Sequence, residues 1–318
     1  MSATSDPEML AETRAFNADL ERLLAERSPV HEVPVEVTRR SRRDGTGPFP
    51  PPVFVDRAWN LTIRGRDGDI GLRVIPPEGV AVGAYLHIHG GGWTLSAADL
   101  QDPALAELAD ATGLCAVSVD YRLAPENPYP AAPDDCEDAA LWLLREGLER
   151  LGLPRALAIG GDSAGGHLSA VTLLRLRDRH GIEGAFAAAN LIYGAFDLSG
   201  TPSQRSWGDR NLILSTPIIE WFGDQFVPGL DTDARRAPDI SPLYADLRGM
   251  PPALFTVGTL DPLIDDSLFM AARWRAAGLP ARLRVWPEAI HGFNAFALGV
   301  TARARAEQYA FLREAIAA

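Results

Sequence analysis

Cysteine is scarce in this chain, with Cys115 and Cys136 the only two among 318 residues. Two thiols in separate segments, with no histidine beside them in sequence, predict neither a structural disulfide nor a metal site. Long apolar stretches are also missing, because no run approaches the roughly 18 apolar residues that a membrane-spanning helix needs. These absences predict a soluble globular protein without a bound metal and without a membrane segment.

Basic residues are fewer than acidic ones, 30 against 42, so the net charge is -12. A chain of this balance is a poor partner for nucleic acids and for anionic membrane surfaces, so we expect neither. The opening residues, MSATSDPEML, lack the basic and apolar regions of a secretory signal. We therefore expect a cytoplasmic protein.

Apolar residues are abundant, at 47% of the total, which is enough to bury a large core. Many of them form short strand-like runs that alternate with helical patterns. The runs are residues 61–64, 70–75, 84–88, 114–120, 157–160, 187–192, 253–257 and 281–286. Such alternation predicts an α/β protein with a mostly parallel sheet covered by helices on both faces. Asp67 and Gly68 between the first two runs indicate a hairpin, and so an antiparallel edge.

Two segments depart from this rhythm. Residues 31–52 end in a cluster of prolines, and we expect irregular chain there, because proline is excluded from helix interiors and central strands. The segment also carries four arginines, Arg39, Arg40, Arg42 and Arg43. These arginines could bind an anion, but a solvated loop is the favoured interpretation. Residues 202–239 are rich in apolar side chains without the period of a strand.

Residues 161–165 read Gly-Asp-Ser-Ala-Gly and lie between a strand-like run and a helical pattern. A G-x-S-x-G sequence in this context predicts a sharp turn that exposes its serine at the end of a sheet strand. The flanking glycines let the strand and the helix approach closely. Because a serine hydroxyl is a weak nucleophile alone, it needs a base, an orienting acid and donors for an oxyanion. Ser163 is therefore the candidate nucleophile.

The base is expected to be a histidine. In enzymes whose serine lies in such a G-x-S-x-G turn, the chain order is Ser, then Asp or Glu, then His. Of the six histidines, only His180 and His291 follow Ser163 at the distance of a whole helix or more. His180 ends the helix that starts at the serine, and that helix carries it away from the site. His291 comes just after the last strand-like run, in a loop that can fold over the sheet. We favour His291.

The acid is expected between the serine and the histidine, at the carboxyl end of a strand. Asp261 follows the run 253–257 and precedes a proline that suits a loop-to-helix transition. Asp265 and Asp266 fall in the first turn of that helix, where a carboxylate complements the helix dipole. Glu288, close to the histidine in sequence, is the second choice. We favour Asp261 because of its position at the strand end.

Residues 89–93 read His-Gly-Gly-Gly-Trp and follow the run 84–88. Three glycines without side chains let backbone N–H groups point into one concavity, which predicts an oxyanion hole rather than a flexible turn. Ala164, at the N-terminus of the helix after the serine, is expected to add another N–H group. His89 is expected to brace this loop rather than to act as a base.

Polar residues beside these motifs have structural interpretations that we favour over roles in catalysis. Asp162 could tune the site, but we expect it to anchor the turn by bonding nearby backbone. Residues 120–130 contain Arg122 and Glu126, for which an internal salt bridge that fixes a long loop is favoured over substrate binding.

Five motifs occur in order along the chain: HGGGW at 89–93, DYRLAPE at 120–126, GDSAGG at 161–166, DPL at 261–263 and HGF at 291–293. In this combination the chain resembles the bacterial hormone-sensitive-lipase-like esterases, from about residue 61 to the C-terminus. The resemblance implies an α/β-hydrolase fold with a mostly parallel eight-stranded sheet, flanking helices and a helical cap. It implies a cap made of residues 1–52 and of an insertion at about 202–239 into a catalytic domain of residues 53–318.

The same resemblance implies a carboxylic-ester hydrolase that prefers short acyl chains, acts on small ester molecules and needs no cofactor. The residues that it assigns are Ser163 as nucleophile, Asp261 as acid, His291 as base, and Gly91, Gly92 and Ala164 as oxyanion donors. Dimers are common among such esterases, so a homodimer is a further expectation, with the run 281–286 as a candidate edge for pairing.

Alternatives remain at this point. The same three residues could cut an activated amide, such as an arylformamide, and nothing in the sequence decides between the two bonds. From a different class, the fold could serve as a small-molecule receptor without catalysis, but such a protein should lack one of the motifs, and all are present. A long-chain lipase is disfavoured by the modest cap and the lack of a secretory signal pattern.

Overall fold

One eight-stranded sheet organises the computed structural model, which describes residues 6–317. Its strands are β1 (Trp59–Gly65), β2 (Gly68–Ile75), β3 (Gly83–Ile88), β4 (Leu114–Asp120), β5 (Ala156–Asp162), β6 (Ala188–Ile192), β7 (Ala253–Leu260) and β8 (Ala281–Ile290). They lie in the order β1-β2-β4-β3-β5-β6-β7-β8. Strand β2 pairs antiparallel with β1 and β4, and the other neighbouring pairs are parallel. The predicted mostly parallel sheet with an antiparallel edge is confirmed.

Helices cover both faces of this sheet. They are α1 (Pro7–Ala25), α2 (Val35–Arg43), α3 (Asp102–Thr112), α4 (Ala131–Trp142), α5 (Leu148–Arg150), α6 (Ala164–His180), α7 (Pro202–Ser206), α8 (Thr216–Phe226), α9 (Ile264–Ala276) and α10 (Gly299–Ile316). Strand β3 is buried along its whole length, and its side chains alternate between the faces. Leu86 and Ile88 join the apolar cluster under α4 and α6, whereas Tyr85 joins the cluster under α3 and α10.

The parallel strands bring four distant loops together. Strands β3, β5, β7 and β8 run in the same direction, so their carboxyl ends lie at one edge of the sheet. The loops that follow these strands contain residues 89–93, Ser163, Asp261 and His291. In parallel α/β sheets this edge is where sites form. The sheet therefore delivers every predicted motif of the site to one place.

Residues 31–52 are more regular than we predicted, because they contain helix α2. The prolines do not prevent it. Pro34 lies immediately before the helix, where its missing N–H group would have no helical partner in any case, and the proline run starts at Pro48, after the helix has ended. The expectation of irregular chain was therefore wrong for Val35–Arg43.

Residues 202–239 form short helices joined by turns and irregular chain. Leu214 and Phe222 from this segment line one cavity together with Ser163, and so do Leu24 and Phe49 from the N-terminal part. Helix α1 also packs against α10 and β8. Both predicted cap segments thus contact the space above Ser163. The division of the chain at residue 52, and the insertion at residues 202–239, stay predictions.

Both cysteines are free and buried. Burial raises the pKa of the Cys115 thiol to about 12 and the pKa of Cys136 well above its ordinary value. Thiols in this state are poor nucleophiles, so neither competes with the serine for a role in chemistry. Within residues 6–317, no helix has both the length and the apolar character that crossing a membrane requires.

Candidate active site

Ser163 sits on a strained turn between β5 and α6. Its backbone has φ 55° and ψ -119°, a conformation that side-chain-bearing residues rarely adopt. The flanking glycines permit this turn, because a Cβ on Gly161 would lie 2.1 Å from the carbonyl oxygen of Ile88, and one on Gly165 would lie 1.9 Å from the same atom. The N–H group of Ser163 donates to the carbonyl of Ile192 at 2.9 Å. The G-x-S-x-G sequence is thus explained by close approach of backbone to backbone.

His291 links Ser163 to Asp261 by two hydrogen bonds. Its Nδ1–H group donates to Oδ2 of Asp261 at 2.9 Å, and its Nε2 atom lies 2.9 Å from Oγ of Ser163. A neutral imidazole that donates through Nδ1 presents Nε2 as the acceptor for the serine hydroxyl. Asp261 is fully buried, and its Oδ1 atom accepts the N–H group of Leu263 at 2.8 Å. The carboxylate is therefore fixed in orientation.

The residues that sequence reasoning ranked lower are engaged elsewhere. Glu288 forms an ion pair with Arg14 at 2.9 Å. His180 donates from Nε2 to Oε1 of Glu137 at 2.7 Å, at the far end of α6. Asp266 is buried and accepts hydrogen bonds from the chain around α7, including the N–H group of Phe196 at 2.7 Å. Asp266 therefore binds backbone outside its own helix, in addition to the helix-dipole role that we expected.

The glycine loop, residues 89–93, follows β3 at the sheet edge where Ser163 lies. Gly91 and Gly92 have φ values of 113° and 60°, in the region that favours glycine. In the part of the chain that the structure describes, their N–H groups make no hydrogen bond to a protein acceptor. Both residues line one cavity with Ser163. Ala164 is the first residue of α6, where an N–H group has no acceptor within the helix.

His89 is enclosed at the start of the glycine loop. Its Nδ1–H group donates to the carbonyl oxygen of Gly90 at 2.8 Å, and its ring stacks on Tyr121 at 4.1 Å between centroids. The Tyr121 hydroxyl donates to the carbonyl oxygen of His89 at 2.9 Å. Burial lowers the pKa of His89, so a neutral ring is favoured. These contacts are those of a residue that braces the loop.

Trp93, at the end of the glycine loop, is held by a second buried histidine that the sequence did not single out. Its Nε1–H group donates to Nδ1 of His167 at 3.1 Å, and His167 in turn donates from Nε2 to the carbonyl of Ile240 at 2.8 Å. Burial lowers the pKa of His167 to about 4. The ring is therefore neutral near pH 7, as an imidazole that both accepts and donates must be.

Asp162 is held by a side chain rather than by backbone. Its Oδ1 atom accepts a hydrogen bond from Nε2 of Gln101 at 2.9 Å and lies 3.9 Å from Nε2 of His87. Burial raises the pKa of Asp162, but His87 and Gln101 outweigh that effect and the pKa falls below its ordinary value. We predicted bonds to nearby backbone, and that was wrong. As the last residue of β5, Asp162 directs its carboxylate towards Gln101 and packs against Gly90.

Arg39 of α2 clamps the chain around the glycine loop. It donates to the carbonyl oxygens of Thr94 at 2.9 Å and Ala124 at 2.8 Å. It also makes a two-pronged ion pair with Glu126, at 2.7 and 2.8 Å. Our expectation of a solvated loop was therefore wrong for Arg39. Sequence reasoning missed this clamp because its partners lie 55 to 87 residues away in the chain.

The run of residues 120–130 is fixed by ion pairs, although not by the internal pair that we predicted. Arg122 binds Asp135 at 2.8 Å, whereas Glu126 binds Arg39. Each charge thus ties the loop to a different helix, α4 or α2. The structural interpretation of these residues holds, but the pairing of Arg122 with Glu126 was wrong.

Two cavities meet at Ser163. One, of about 520 Å³, lies between the glycine loop, the chain before α7 and helix α8. The other, of about 680 Å³, is lined by His291, Phe49 and Arg42, and its outer part is formed by the N-terminal segment. Arg42 lies over the ring of Phe49, at 4.6 Å from its centroid. An elongated molecule can therefore extend to both sides of the serine hydroxyl.

Comparisons with known proteins agree with this geometry. The model of a family described as an alpha/beta hydrolase fold matches residues 85–295. Carboxylesterase NlhH of Mycobacterium tuberculosis is 40% identical over 248 residues, which are 76% of this chain and 77% of that protein. Ethyl acetate hydrolase of Pseudomonas putida is 32% identical over 246 residues, 74% of each chain.

A solved structure extends the similarity to almost the whole chain. The hyperthermophilic esterase from the archaeon Pyrobaculum calidifontis superposes with a TM-score of 0.85 and 33% identity, covering 96% of this chain and 98% of that one. The match includes the N-terminal part, which lies outside the residues matched by the family model. As its resemblance to hormone-sensitive-lipase-like esterases predicted, the chain belongs to the α/β-hydrolase family.

Proposed function

We propose that this protein hydrolyses short-acyl carboxylic esters through an acyl-enzyme on Ser163, with His291 as base and Asp261 as orienting acid. That the protein is a carboxylic-ester hydrolase follows from its family and its carboxylesterase relatives. The residue roles and the acyl preference are the proposal. Their main support is the hydrogen-bond chain from Asp261 through His291 to Ser163, with 2.9 Å at each step.

The proposed reaction has two halves. The Ser163 hydroxyl attacks the ester carbonyl while Nε2 of His291 takes its proton, and Asp261 holds the ring and stabilises the imidazolium. The N–H groups of Gly91, Gly92 and Ala164 then bind the oxyanion. Each such donor is typically worth roughly 3–4 kcal/mol to the transition state. His291 protonates the departing alcohol, and water activated by the same histidine releases the acid.

The direction in which an ester binds follows from the proton transfer to the leaving group. The protonated histidine has to reach the departing oxygen within hydrogen-bond distance. His291 lines the cavity of about 680 Å³ and not the one of about 520 Å³. The alcohol part of the substrate is therefore assigned to the larger cavity, and the acyl chain to the smaller one beside Gly92.

The preference for short acyl chains has two supports. The cavity of about 520 Å³ is lined in part by polar and charged side chains, among them Asp197, Arg205 and Arg235. A long hydrocarbon chain would remove these groups from water, which disfavours its binding. A relative from Pseudomonas putida is named ethyl acetate hydrolase, and one from Streptomyces hygroscopicus acetyl-hydrolase. Both names describe acyl groups of the smallest kind.

A series of p-nitrophenyl esters from acetate to palmitate tests the acyl preference. We expect kcat/KM to be highest among the shortest esters and to fall steeply along the series. An optimum at decanoate or beyond would contradict the proposal, because such a chain would have to run past the charged side chains of the smaller cavity.

Amide hydrolysis is the second candidate reaction, since the same three residues could cut an activated amide. A matched pair, p-nitrophenyl acetate and p-nitroacetanilide, separates the two by direct comparison of turnover. We expect the ester to be strongly preferred, because an anilide has the poorer leaving group. The third alternative, a small-molecule receptor without catalytic activity, is not favoured, because the relatives are enzymes.

Location and assembly complete the proposal. A cytoplasmic location is supported by the two free, buried cysteines, which suit a reducing compartment. A homodimer is supported by β8, which lies at an edge of the sheet and has a strand neighbour on one side only within residues 6–317. Cell fractionation and sedimentation velocity test the two statements, and a membrane-bound or purely monomeric protein would contradict them.

A further inference from the structure

Phe222 stands between the two cavities that meet at Ser163. It is one of four residues that line both, with Gly92, Ser163 and Leu214. Gly92 has no side chain and Ser163 is the proposed nucleophile, so the side chains that can divide the space are those of Leu214 and Phe222. The ring of Phe222 is the larger of these two, and it is buried.

The ring of Phe222 lies directly on Gly92. A Cβ atom built on Gly92 would come within 2.2 Å of Cδ1 of the ring and within 2.4 Å of Cε1. The ring therefore occupies the space that a side chain at position 92 would fill. It covers the backbone whose N–H group is a proposed oxyanion donor, and so keeps water away from that side. Hydrogen bonds to a developing charge are stronger where water is excluded.

The helix that carries the ring is fixed beside the glycine loop at its C-terminal end. One turn after Phe222, Phe226 stacks on Trp93 with 4.6 Å between ring centroids. The carbonyl oxygen of Phe226 accepts the N–H group of Tyr129 at 2.8 Å. Since Trp93 directly follows Gly92, helix α8 and the glycine loop are held together at two neighbouring points. These contacts fix the backbone of α8 beside the glycine loop, and so the point from which the Phe222 ring extends over Gly92.

We propose that Phe222 is a specificity-determining residue that keeps the acyl chain and the alcohol in separate cavities and shields the oxyanion site. This inference rests on the proposed function, because it takes Ser163 as the point where the two parts of the ester join. It identifies the preferred substrates as esters of a small acid with an alcohol that fits the cavity of about 680 Å³. Loss of the ring joins the two cavities.

A set of four esters tests the inference: the acetates and the hexanoates of p-nitrophenol and of 2-naphthol. In the native protein, the ratio of kcat/KM for hexanoate over acetate should be the same for both alcohols, because the cavities are separate. In Phe222→Ala, that ratio should rise about tenfold for the p-nitrophenyl esters, as is typical when a pocket gains room for several methylenes. It should rise less for the naphthyl esters, because the larger alcohol occupies the space into which the acyl chain would extend.

Two further variants separate this role from a structural one. Ile219→Ala enlarges only the cavity of about 520 Å³, so its effect on the ratio should be equal for both alcohols. Phe222→Leu should shift the ratio in the same direction as Phe222→Ala but less, and it decides the question if the alanine variant does not fold. An unchanged ratio, or a shift that is equal for both alcohols, would overturn the inference. Failure of the proposed function looks different, since hydrolysis of all four esters would then persist at the native rate in Ser163→Ala.

Discussion

The Nε2 atom of His291 lies 2.9 Å from the Oγ atom of Ser163, although 128 residues separate the two in the chain. The parallel sheet makes this contact possible, because β5 ends just before Ser163 and β8 ends just before His291. Asp261 reaches the same point from the end of β7. Three strand ends thus assemble a chain of two hydrogen bonds whose members are each positioned by regular structure.

Asp261 and Glu288 give the first prediction. Asp261→Asn should lower kcat by about 10⁴-fold, because an amide no longer holds His291 in the tautomer that accepts a proton. Glu288→Gln is the matched control, since Glu288 is near His291 in sequence but is bound to Arg14. It should leave kcat close to native. Steady-state kinetics with p-nitrophenyl acetate measures kcat for both variants. Equal losses of kcat in the two variants would show that Asp261 is not the orienting acid.

The glycine loop gives the second prediction. Gly91→Ala should lower kcat by roughly 100- to 1000-fold, the usual loss when an oxyanion donor is displaced. The cause is steric, because a Cβ on Gly91 would lie 2.2 Å from the carbonyl oxygen of Leu95. Gly152→Ala is the control, since Gly152 also has a positive φ, of 66°, but has open space around it. It should reduce stability by about 1 kcal/mol, because a Cβ is disfavoured at positive φ, and leave kcat unchanged.

The clamp made by Arg39 gives the third prediction. Arg39→Ala should lower kcat/KM and reduce the free energy of unfolding by about 1–3 kcal/mol, because two carbonyl groups and Glu126 lose a charged donor. Arg40→Ala removes the same charge from an exposed neighbour in the same helix and should change neither quantity. Denaturant unfolding measures the free energy of unfolding, and ester kinetics measures kcat/KM. If Arg39→Ala and Arg40→Ala have the same values of both quantities, the clamp does not support the site.

His167 gives the fourth prediction, on the pH dependence of stability. The folded state keeps its pKa near 4, whereas the unfolded chain takes up the proton near 6.5. The stability that depends on neutral His167 is thus fully present above pH 6.5 and is lost as the pH falls towards 4. The loss is on the order of 3 kcal/mol. His167→Gln cannot be protonated there, so its free energy of unfolding should fall less between these pH values than that of the native protein.

The strands along the chain and the positions of Ser163, Asp261 and His291 at strand ends could be predicted from the sequence for a physical reason. Buried strands are marked by short apolar runs, and a sharp turn such as that at Ser163 demands small neighbours. Both signals are local. The end of a strand then indicates where a side chain lies, because parallel strands end at one edge.

The contacts that sequence reasoning missed are all long-range. Nothing local to Arg39 says that its partners are Thr94 and Glu126, and the prolines around α2 suggested irregular chain. The carboxylate of Asp162 likewise found a side chain from another loop, Gln101, instead of nearby backbone. Phe222 is one of many apolar residues in its segment, and only the fold brings its ring against the glycine loop.

Hydrolysis of p-nitrophenyl acetate by Ser163→Ala tests the central claim most directly. Circular dichroism and thermal unfolding should first establish that the variant is folded like the native protein. The account predicts that its kcat falls to the limit of detection, because the hydroxyl that lies 2.9 Å from Nε2 of His291, and gives it a proton during attack, is removed. A folded Ser163→Ala variant that hydrolyses the ester at the native rate would contradict the account.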